Sequence, residues 1–407
     1  MVARTLGVLP PGSRITDFIS LGVIARWFPR PAVDRVLRQS GKTSRRQRDL
    51  PAHVVVYYVI ALALYMQSSC REVLRCLLEG LDWLSEVGAP PRLVGDSGIS
   101  QARSRLGAEP LEKLHDELVR PLATKKTRGS FYRNWRLVSL DGSTLDVADQ
   151  AANREAFGYP GASRGGSAFP QLRFVSLLEN GTHVLFGSRM GPYATGEITL
   201  AKEVLPALEK DMLCLADRNF LGYQLWRQAS ETGAQMLWRA KKHLRLEVAE
   251  RFADGSYRSA LYASERDRRQ GRSPIEVRVI EYVLEGIEGA EEFYRLVTTI
   301  LDPREAPAQE LAALYGERWE IESALDELKT HLRGARIVLR SKTPELVRQE
   351  FYGLLMAHFA IRGLMHEAAL RVDRDPDRLS YLHAVRVVRR KMTQAVAIPP
   401  LGQKRVS

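Results

Sequence analysis

The pattern of apolar and polar positions divides the chain into a helical first third and a mixed remainder. Apolar residues recur with helical spacing over residues 14–125. Further along, short apolar runs typical of buried strands alternate with helical segments; they are "WRLVSLDGSTLDV", "QLRFVSLLENGTHVLFGSRM", "MLCLADRNF" and "AQMLWRA". The second of these runs contains an Asn-Gly hairpin turn. The predicted order of elements in this part is β-β-β-α-β-α-β.

The last third begins with a different pattern. From Lys241 to about Pro307, shorter alternating segments carry many charges, which predicts an inserted β region. Two further helices are expected after it. The first spans "LYGERWEIESALDELKTHLRG" at 314–334, and the second is an apolar helix from about 347 to 370.

The helix expected at 314–334 places polar side chains beside its apolar face. At about 100° per residue, four of them fall within an arc of roughly 60°; they are Tyr315, Arg318, Glu322 and Lys329. Because an unpaired charge beside a buried face is costly, we expect these side chains to need partners from outside the helix. Other charged residues, including Glu320 and Glu327, are expected further round in solvent.

The chain is basic, which favours an acidic polymer as partner. It has 60 Lys and Arg against 48 Asp and Glu, a formal net charge of +12. Basic residues cluster in 26–49, which includes Arg45 and Arg46, and again in 386–407. For the first cluster, contact with DNA and simple solvation are comparable interpretations; for the second, a solvated tail is the simpler one.

Several classes of protein are disfavoured. The 3 cysteines form neither a disulfide framework nor a zinc-binding spacing, which predicts a reducing cytoplasm. No apolar run reaches the roughly 20 residues that span a bilayer, and the N-terminus lacks the apolar core of a signal peptide. A phosphate-cradling glycine loop is also missing, so nucleotide hydrolysis is not expected.

A pair of short helices precedes the mixed region. The segment "SGISQARSRLGAEPLEKLHDELVRPL" predicts two helices with a turn at Gly107. If the pair is a helix-turn-helix, Gln101, Arg103 and Arg105 could face DNA. Helix pairs with a glycine turn are common, so a purely structural role for this pair is an equally good interpretation.

Three carboxylates are candidates for chemistry. Asp141 and Asp217 each end an apolar strand, and Glu322 borders a buried helix face. One such Asp alone is better explained as a turn or helix cap, and Asp146 would be the substitute if Asp141 were a cap. Three convergent carboxylates would repel one another unless divalent cations lay between them, and such oxygen ligands suit Mg²⁺ or Mn²⁺. Two ions of this kind can promote phosphodiester displacement.

These residues carry a resemblance to a known family. The order of elements resembles a ribonuclease-H-like fold with a β insertion before its last catalytic helix. The run Tyr315-x2-Arg318-x3-Glu322-x6-Lys329 resembles the Y-R-E-K pattern of bacterial DDE transposases of the insertion-element-four family. Segments similar to other blocks of that family are "SLDGST", "LADRNF", "FPQLRFV", "RQRDLPAHVVVYYVIALALY" and "SGISQARSRLG". The resemblance therefore covers most of the chain.

The resemblance implies roles for individual residues. Asp141, Asp217 and Glu322 would be the catalytic triad and hold two Mg²⁺ or Mn²⁺ ions. The residues implied as contacts to the DNA backbone near the cleaved end are Tyr315, Arg318 and Lys329. Several family members cut through a hairpin intermediate, in which a flipped base stacks on an aromatic ring. Trp319 is the best candidate for this ring, with Trp238 and Tyr294 weaker, although core packing is the commoner role of such side chains.

The resemblance also implies an organisation and an activity. The chain is expected to be α/β, with a ribonuclease-H-like core, a mainly β insertion and an all-helical N-terminal domain. The expected parts are an N-terminal DNA-binding domain at 1–128, a core at 129–240 and 308–372, an insertion at 241–307 and a basic segment at 373–407. The implied activity is metal-dependent cleavage of double-stranded DNA at element ends and strand transfer into a target.

Further implications concern the assembly and its alternatives. The family implies a homodimer on DNA, at the nucleoid of a bacterial cytoplasm and without membrane contact. One alternative is a nuclease of the same fold that never joins strands. Another is a non-catalytic DNA-binding repressor derived from a transposase. An intact carboxylate trio argues against the repressor, whereas only a strand-transfer product would exclude the nuclease.

Overall fold

The computed structural model describes residues 22–44, 49–81, 93–161, 168–283, 293–334 and 337–389. Its α-helices are α1 Arg30–Gln39, α2 Ala52–Leu64, α3 Cys70–Leu81, α4 Asp96–Leu106, α5 Glu109–Leu118, α6 Ala151–Phe157, α7 Glu197–Val204, α8 Tyr223–Glu231, α9 Glu265–Arg269, α10 Ala308–Leu314, α11 Glu320–Asp326, α12 Pro344–Arg371 and α13 Tyr381–Arg389. Its strands are β1 Phe131–Tyr132, β2 Trp135–Asp146, β3 Gln171–Glu179, β4 Val184–Pro192, β5 Met212–Ala216, β6 Gln235–Arg239, β7 Glu250–Arg251, β8 Tyr257–Leu261, β9 Ile275–Tyr282 and β10 Tyr294–Thr298. The chain divides into two compact units, which we call the sheet unit (Ala123–Thr144 and Leu172–Ala324) and the helical unit (Met1–Leu122, Leu145–Gln171 and Leu325–Ser407).

One mixed sheet organises the sheet unit. Its strand order is β4-β3-β2-β5-β6-β10-β9-β8-β7. The strands β2, β5 and β6 run parallel, and β5 is buried along its whole length, as expected for a parallel strand covered on both faces. The hairpin β3–β4 lies on one side of this parallel centre. The order β2, β3, β4, α7, β5, α8, β6 confirms the predicted ribonuclease-H-like core.

The inserted β region extends the same sheet. Strand β10 pairs antiparallel with β6, with Leu296 opposite Arg239, and β9, β8 and β7 follow outward. Sequence alternation correctly predicted β structure here. It did not reveal the shared sheet, because the partner of an edge strand is set by tertiary pairing rather than by local pattern.

One predicted strand boundary and one predicted helix need correction. Strand β2 continues to Asp146, so Asp141 lies within a strand instead of at its end. The segment expected to be one regular helix is also irregular. It begins as α10, tightens into a 3₁₀ turn at Tyr315–Trp319, continues as α11 and widens into a π-helix at Glu327–Gly334. A 3₁₀ turn advances about 120° per residue, so the assumption of 100° per residue misjudges the direction of Arg318 relative to Tyr315.

The helical unit is built around two apolar helices. Every residue of α2 from Val54 to Leu64 is buried, and α12 is buried over most of its length. The two helices pack closely at Gly353, where an added Cβ would lie 2.8 Å from the carbonyl oxygen of Val59. Within the described residues, no helix combines the length and the hydropathy that crossing a membrane requires.

A buried ion pair lies inside this unit. Glu327, expected in solvent, is buried and accepts a hydrogen bond of 2.9 Å from Nε of Arg362, and His358 Nε2 lies 3.4 Å from the same carboxylate oxygen. Periodicity could not predict this position, since the partner Arg362 comes from a distant helix. A second acid expected in solvent, Glu320 of the sheet unit, accepts a bond from the backbone N–H of Gly181.

The contact at Gly363 provides a test of the helical unit. An added Cβ would lie 2.2 Å from the ring of Trp27, which itself packs edge-to-face on Phe359. We expect Gly363→Ala to lower the free energy of unfolding by about 1–3 kcal/mol, because a rigid ring has to move. Urea denaturation measures the change. Gly161→Ala, where no atom lies within 4 Å of the added Cβ, should have little effect; equal stability of the two variants would contradict the packing.

Candidate active site

Strand register places the two aspartates side by side. The pairing of β2 with β5 ends at Leu140 opposite Ala216, and Asp141 and Asp217 are the next residues on the two parallel strands. Neighbouring strands lie about 4.8 Å apart, and matched positions on parallel strands face the same way. The sequence prediction that these carboxylates converge therefore has a direct geometric basis in the sheet.

The surroundings of Asp141 disfavour the ionised form of its carboxyl group. Its side chain is 20% exposed, and one oxygen accepts a hydrogen bond of 2.8 Å from the backbone N–H of Gly142. Burial, together with the negative charges of Asp217 and Glu197, raises the pKa of Asp141 to about 6. The favourable charge of Arg318 and the Gly142 hydrogen bond do not cancel this shift.

Asp217 is oriented by the turn that follows it. Its Oδ1 accepts a bond of 2.8 Å from the backbone N–H of Asn219, and its Oδ2 accepts one of 3.2 Å from the Asn219 side chain. This is an Asx-type turn. Helix α8 begins only at Tyr223 and has Gly222 as its N-cap, so Asp217 is not a helix cap. Of the two local roles considered in the sequence analysis, a turn or a helix cap, Asp217 has the first and not the second.

Arg318 links the third carboxylate to the first. Its Nη1 lies 3.3 Å from Oδ2 of Asp141, and its Nη2 lies 3.3 Å from Oε1 of Glu322. The Arg318 side chain is only 10% exposed, whereas that of Glu322 is 47% exposed. The expectation that this helix supplies no partner for its own charges is therefore wrong for Glu322. Both bonds exceed the 2.7–2.9 Å usual for charge-assisted bonds, so the bridge is loose.

Three hydrogen bonds anchor the segment that carries Arg318 and Glu322. The hydroxyl of Tyr315 donates to the carbonyl oxygen of Ala216 at 3.2 Å, directly before Asp217. At the β3–β4 turn, Asn180 donates to the carbonyl oxygen of Glu317 at 2.7 Å, and Gly181 donates to Glu320. The position of Glu322 is thus set from two parts of the sheet.

Tyr315 has a structural role that the sequence pattern did not reveal. It is buried in an apolar cluster with strand residues such as Leu215 and Leu296, and burial raises the pKa of its hydroxyl. A DNA phosphate offers only acceptor oxygens, and the one Tyr315 proton already bonds to Ala216. Its implied contact to DNA, which would require breaking that bond, stays a prediction.

The aromatic candidates differ sharply in exposure. Trp319 is 60% exposed, and the guanidinium of Arg318 lies 4.9 Å from its ring centroid. Trp238 is fully buried and packs edge-to-face on Trp226, so core packing explains it. Tyr294 is half-buried and stacks on Tyr282 with ring centroids 5.3 Å apart. Trp319 is the candidate with a ring open to a ligand.

The predicted DNA contacts of the helical unit differ in exposure. Helices α4 and α5 flank Gly107 as expected. Arg105 is exposed, but Arg103 is buried and donates to Gln349, Ser341 and the carbonyl oxygen of Leu346. Arg103 therefore holds α4 to the C-terminal part of this unit, and contact with DNA would break these bonds.

The remaining predicted contacts are only partly described. Lys329 lies half-buried in the π-helical segment of the helical unit. Arg45 and Arg46 lie outside the described residues. For these three residues, a contact with DNA stays a prediction.

Comparison with known families adds to this geometry. A model described as "Insertion element 4 transposase N-terminal" matches residues 18–116, and one described as "Transposase DDE domain" matches residues 136–360. The second match covers more than half of the chain. The chain belongs to the insertion-element-four family of DDE transposases. The predicted family and fold class are thereby confirmed, and the three carboxylates lie within the matched DDE domain.

Individual transposases are also similar to this one. The transposase InsG of insertion sequence element IS4 from Escherichia coli K12 is 26% identical over 366 residues, which cover 88% of this chain and 80% of InsG. The putative transposase InsZ of the same organism is 24% identical over 220 residues, covering 54% of this chain and 71% of InsZ. A cryo-EM structure of a piggyBac transposase synaptic complex with hairpin DNA has a TM-score of 0.47 and 10% identity, covering 91% of this chain and 79% of that one. This structural similarity supports no conclusion about function.

Membership of the family implies DNA as a partner and divalent metal ions as cofactors. The site fits such ions, because Asp141, Asp217 and Glu322 would offer hard oxygen ligands and the single charge of Arg318 balances only part of their charge. The predicted division of the chain into four parts stays a prediction.

Sequence reasoning missed Glu197 beside Asp141, because an acid at a helix start is ordinarily explained by the helix itself.

The raised pKa of Asp141 predicts that this carboxylate destabilises the metal-free protein. Between about pH 4 and pH 6 the folded state binds more protons at Asp141 than the unfolded state, so its cost grows with pH and is complete above pH 6. In EDTA, we expect Asp141→Asn to raise the free energy of unfolding by about 1–3 kcal/mol at pH 7.5. The gain should shrink towards pH 5.

Thermal melts of wild type and variant at both pH values measure this effect. Asp149→Asn is the control, because the Asp149 carboxylate is more exposed than that of Asp141 and is paired with Arg154, which lowers its pKa. The control should give no gain in stability. A pH-independent gain, or a loss, for Asp141→Asn would contradict the electrostatic account.

Proposed function

We propose that this chain cuts DNA at the ends of its own element and joins the freed ends to target DNA, with Asp141, Asp217 and Glu322 as catalytic residues. The observation that carries the proposal is the position of Asp141 and Asp217 one residue beyond the last paired residues of two parallel strands, with Glu322 tied to Asp141 through Arg318. The proposed cofactors are Mg²⁺ or Mn²⁺, as two ions held by these carboxylates. When bound, such ions activate the attacking oxygen and stabilise the leaving one.

The reaction is proposed as successive phosphoryl transfers. In cleavage, water attacks a phosphorus atom, the bond from phosphorus to the 3′ oxygen breaks, and a 3′ hydroxyl is released. In strand transfer, that 3′ hydroxyl attacks a target phosphodiester, so one phosphodiester bond forms as another breaks. The number of such bonds is conserved in the second step, and no nucleotide hydrolysis is needed to drive it.

The remaining contacts are proposed from charge and exposure. Arg318 and Lys329 contact phosphates near the cleaved end, and exposed Arg105 contacts phosphates elsewhere on the DNA. An excision route through a hairpin requires a base to leave the duplex. Trp319 is proposed as the ring on which it stacks, since the residue is 60% exposed and only one face of its ring is known to be covered, by the guanidinium of Arg318. Two copies of the chain are proposed to act on a pair of element ends.

Substitution of Glu322 tests the catalytic assignment. The assay combines full-length protein, Mg²⁺ and plasmid DNA carrying the segments that flank its reading frame. Glu322→Gln should reduce cleavage about 100-fold or more, because an oxygen ligand is lost without a change in size. Glu317→Gln is the control, since Glu317 is exposed one turn earlier on the same segment.

Each product pattern has a distinct meaning. Cuts at the element ends together with joined products support the transposase, whereas cuts without joining favour the nuclease. DNA binding without any cutting, equal in wild type and Glu322→Gln, would favour the repressor and overturn the proposed catalytic role.

Trp319 gives a test of base stacking. With 2-aminopurine near the cleaved end, a flipped base that stacks on Trp319 should be partly quenched by the ring. We expect Trp319→Ala to raise the fluorescence of the complex and to reduce hairpin formation about 10-fold, and Trp319→Phe to restore most of both. Unchanged fluorescence and hairpin yield in Trp319→Ala would assign the stacking to another residue.

A further inference from the structure

A fourth carboxylate lies beside the proposed catalytic residues. Glu197 is the first residue of α7, and its half-buried side chain rests on Gly142, the residue after Asp141. A Cβ added at position 142 would lie 2.9 Å from Cγ of Glu197 and 3.0 Å from its Oε1. Real Cβ atoms do not approach so closely, so glycine at position 142 is what allows the Glu197 carboxylate to reach this place.

Local structure does not account for this position. Acids in the first helical turn are favoured by the helix dipole, but that effect does not require the side chain to fold over a neighbouring strand. Among the residues that the structure describes, no donor forms a hydrogen bond or ion pair with Glu197. A half-buried carboxylate without such a donor, placed beside another carboxylate, is unfavourable in the metal-free protein.

Charge balance indicates what the missing partner is. Asp141, Asp217 and Glu322 already exceed the single charge of Arg318, and Glu197 adds to the repulsion felt by Asp141. A carboxylate that served only the fold would be better placed in solvent. One that faces a site for divalent cations is stabilised whenever those cations bind.

We propose that Glu197 is a fourth metal-binding residue of this site, acting on the ions directly or through their bound water, with Gly142 as the space that admits it. The proposal rests on the proposed function, because it assumes that Asp141, Asp217 and Glu322 hold divalent ions. It assigns a binding role to a residue outside the triad and explains why an unpaired acid lies against strand β2.

Mn²⁺ binding to the full-length protein, measured by isothermal titration calorimetry without DNA, tests the proposal. We expect Glu197→Gln to weaken Mn²⁺ binding about 10- to 100-fold. Gly142→Ala should weaken it in the same direction, because its methyl group displaces the Glu197 carboxylate while every acid is retained. Glu203→Gln, an exposed acid on the same helix, is the matched control and should bind Mn²⁺ like the wild type.

Asp217→Asn separates this proposal from the one on which it rests. If Asp217→Asn weakens Mn²⁺ binding and Glu197→Gln does not, Glu197 has no part in metal binding and the proposed function stands. If neither substitution changes Mn²⁺ binding, the metal site itself is wrong, and both proposals fail. Thermal melts in EDTA verify that each variant is folded, and removal of Glu197 charge should leave melting unchanged or raise it.

Discussion

The structure of the site depends on like charges held side by side. Parallel pairing of β2 with β5 fixes Asp141 and Asp217 next to each other at the ends of neighbouring paired segments, and their backbones cannot separate without a change in strand register. The apolar cluster that stabilises this register includes Leu137, Leu213 and Leu215, so core packing holds the carboxylates against their repulsion. Burial of Asp141 and, to a smaller extent, the negative charge of Asp217 raise the pKa of the Asp141 carboxyl, which reflects the cost of this arrangement. The folding free energy of the sheet thereby offsets the cost of holding these two carboxylates side by side.

The irregular segment after the insertion brings Glu322 to this pair. Its 3₁₀ turn is attached to the end of β5 through Tyr315 and to the β3–β4 turn through Asn180 and Gly181. A regular α-helix at the same place would rotate Arg318 away from its present direction relative to Tyr315, because the two helix types turn by different angles per residue. The anchors therefore act on Glu322 through the backbone, while its side chain keeps the exposure needed to meet a ligand.

Sequence reasoning predicted the elements that follow from local pattern. It failed for side chains whose burial depends on a partner far away in the sequence. The strands around Asp141 and Asp217 and the helices around Gly107 were predictable from alternation, apolar runs and a glycine turn. The burial of Arg103 and Glu327 was not predictable, because the hydrogen-bond acceptors of Arg103 and the cation paired with Glu327 come from more than thirty positions away. Glu197 carried no signal, since only the folded sheet brings α7 onto Gly142. Polar residues of this kind are the ones whose burial no single-segment pattern reveals.

If the proposed function is correct, the same electrostatics would link metal and DNA at this site. A DNA phosphate that approaches Asp141, Asp217 and Glu322 adds negative charge to a place where carboxylates already outnumber the nearby guanidinium of Arg318. Divalent cations bound to these carboxylates would reverse the sign of that interaction, so each ligand would raise the affinity for the other by the same factor. Arg318 could exchange its carboxylate partners for a DNA phosphate, because its two bonds to carboxylates are long and a phosphate oxygen is an equally good acceptor. Cations that neutralise the carboxylates would therefore release Arg318 for the phosphate, and metal occupancy and DNA engagement become one coupled event.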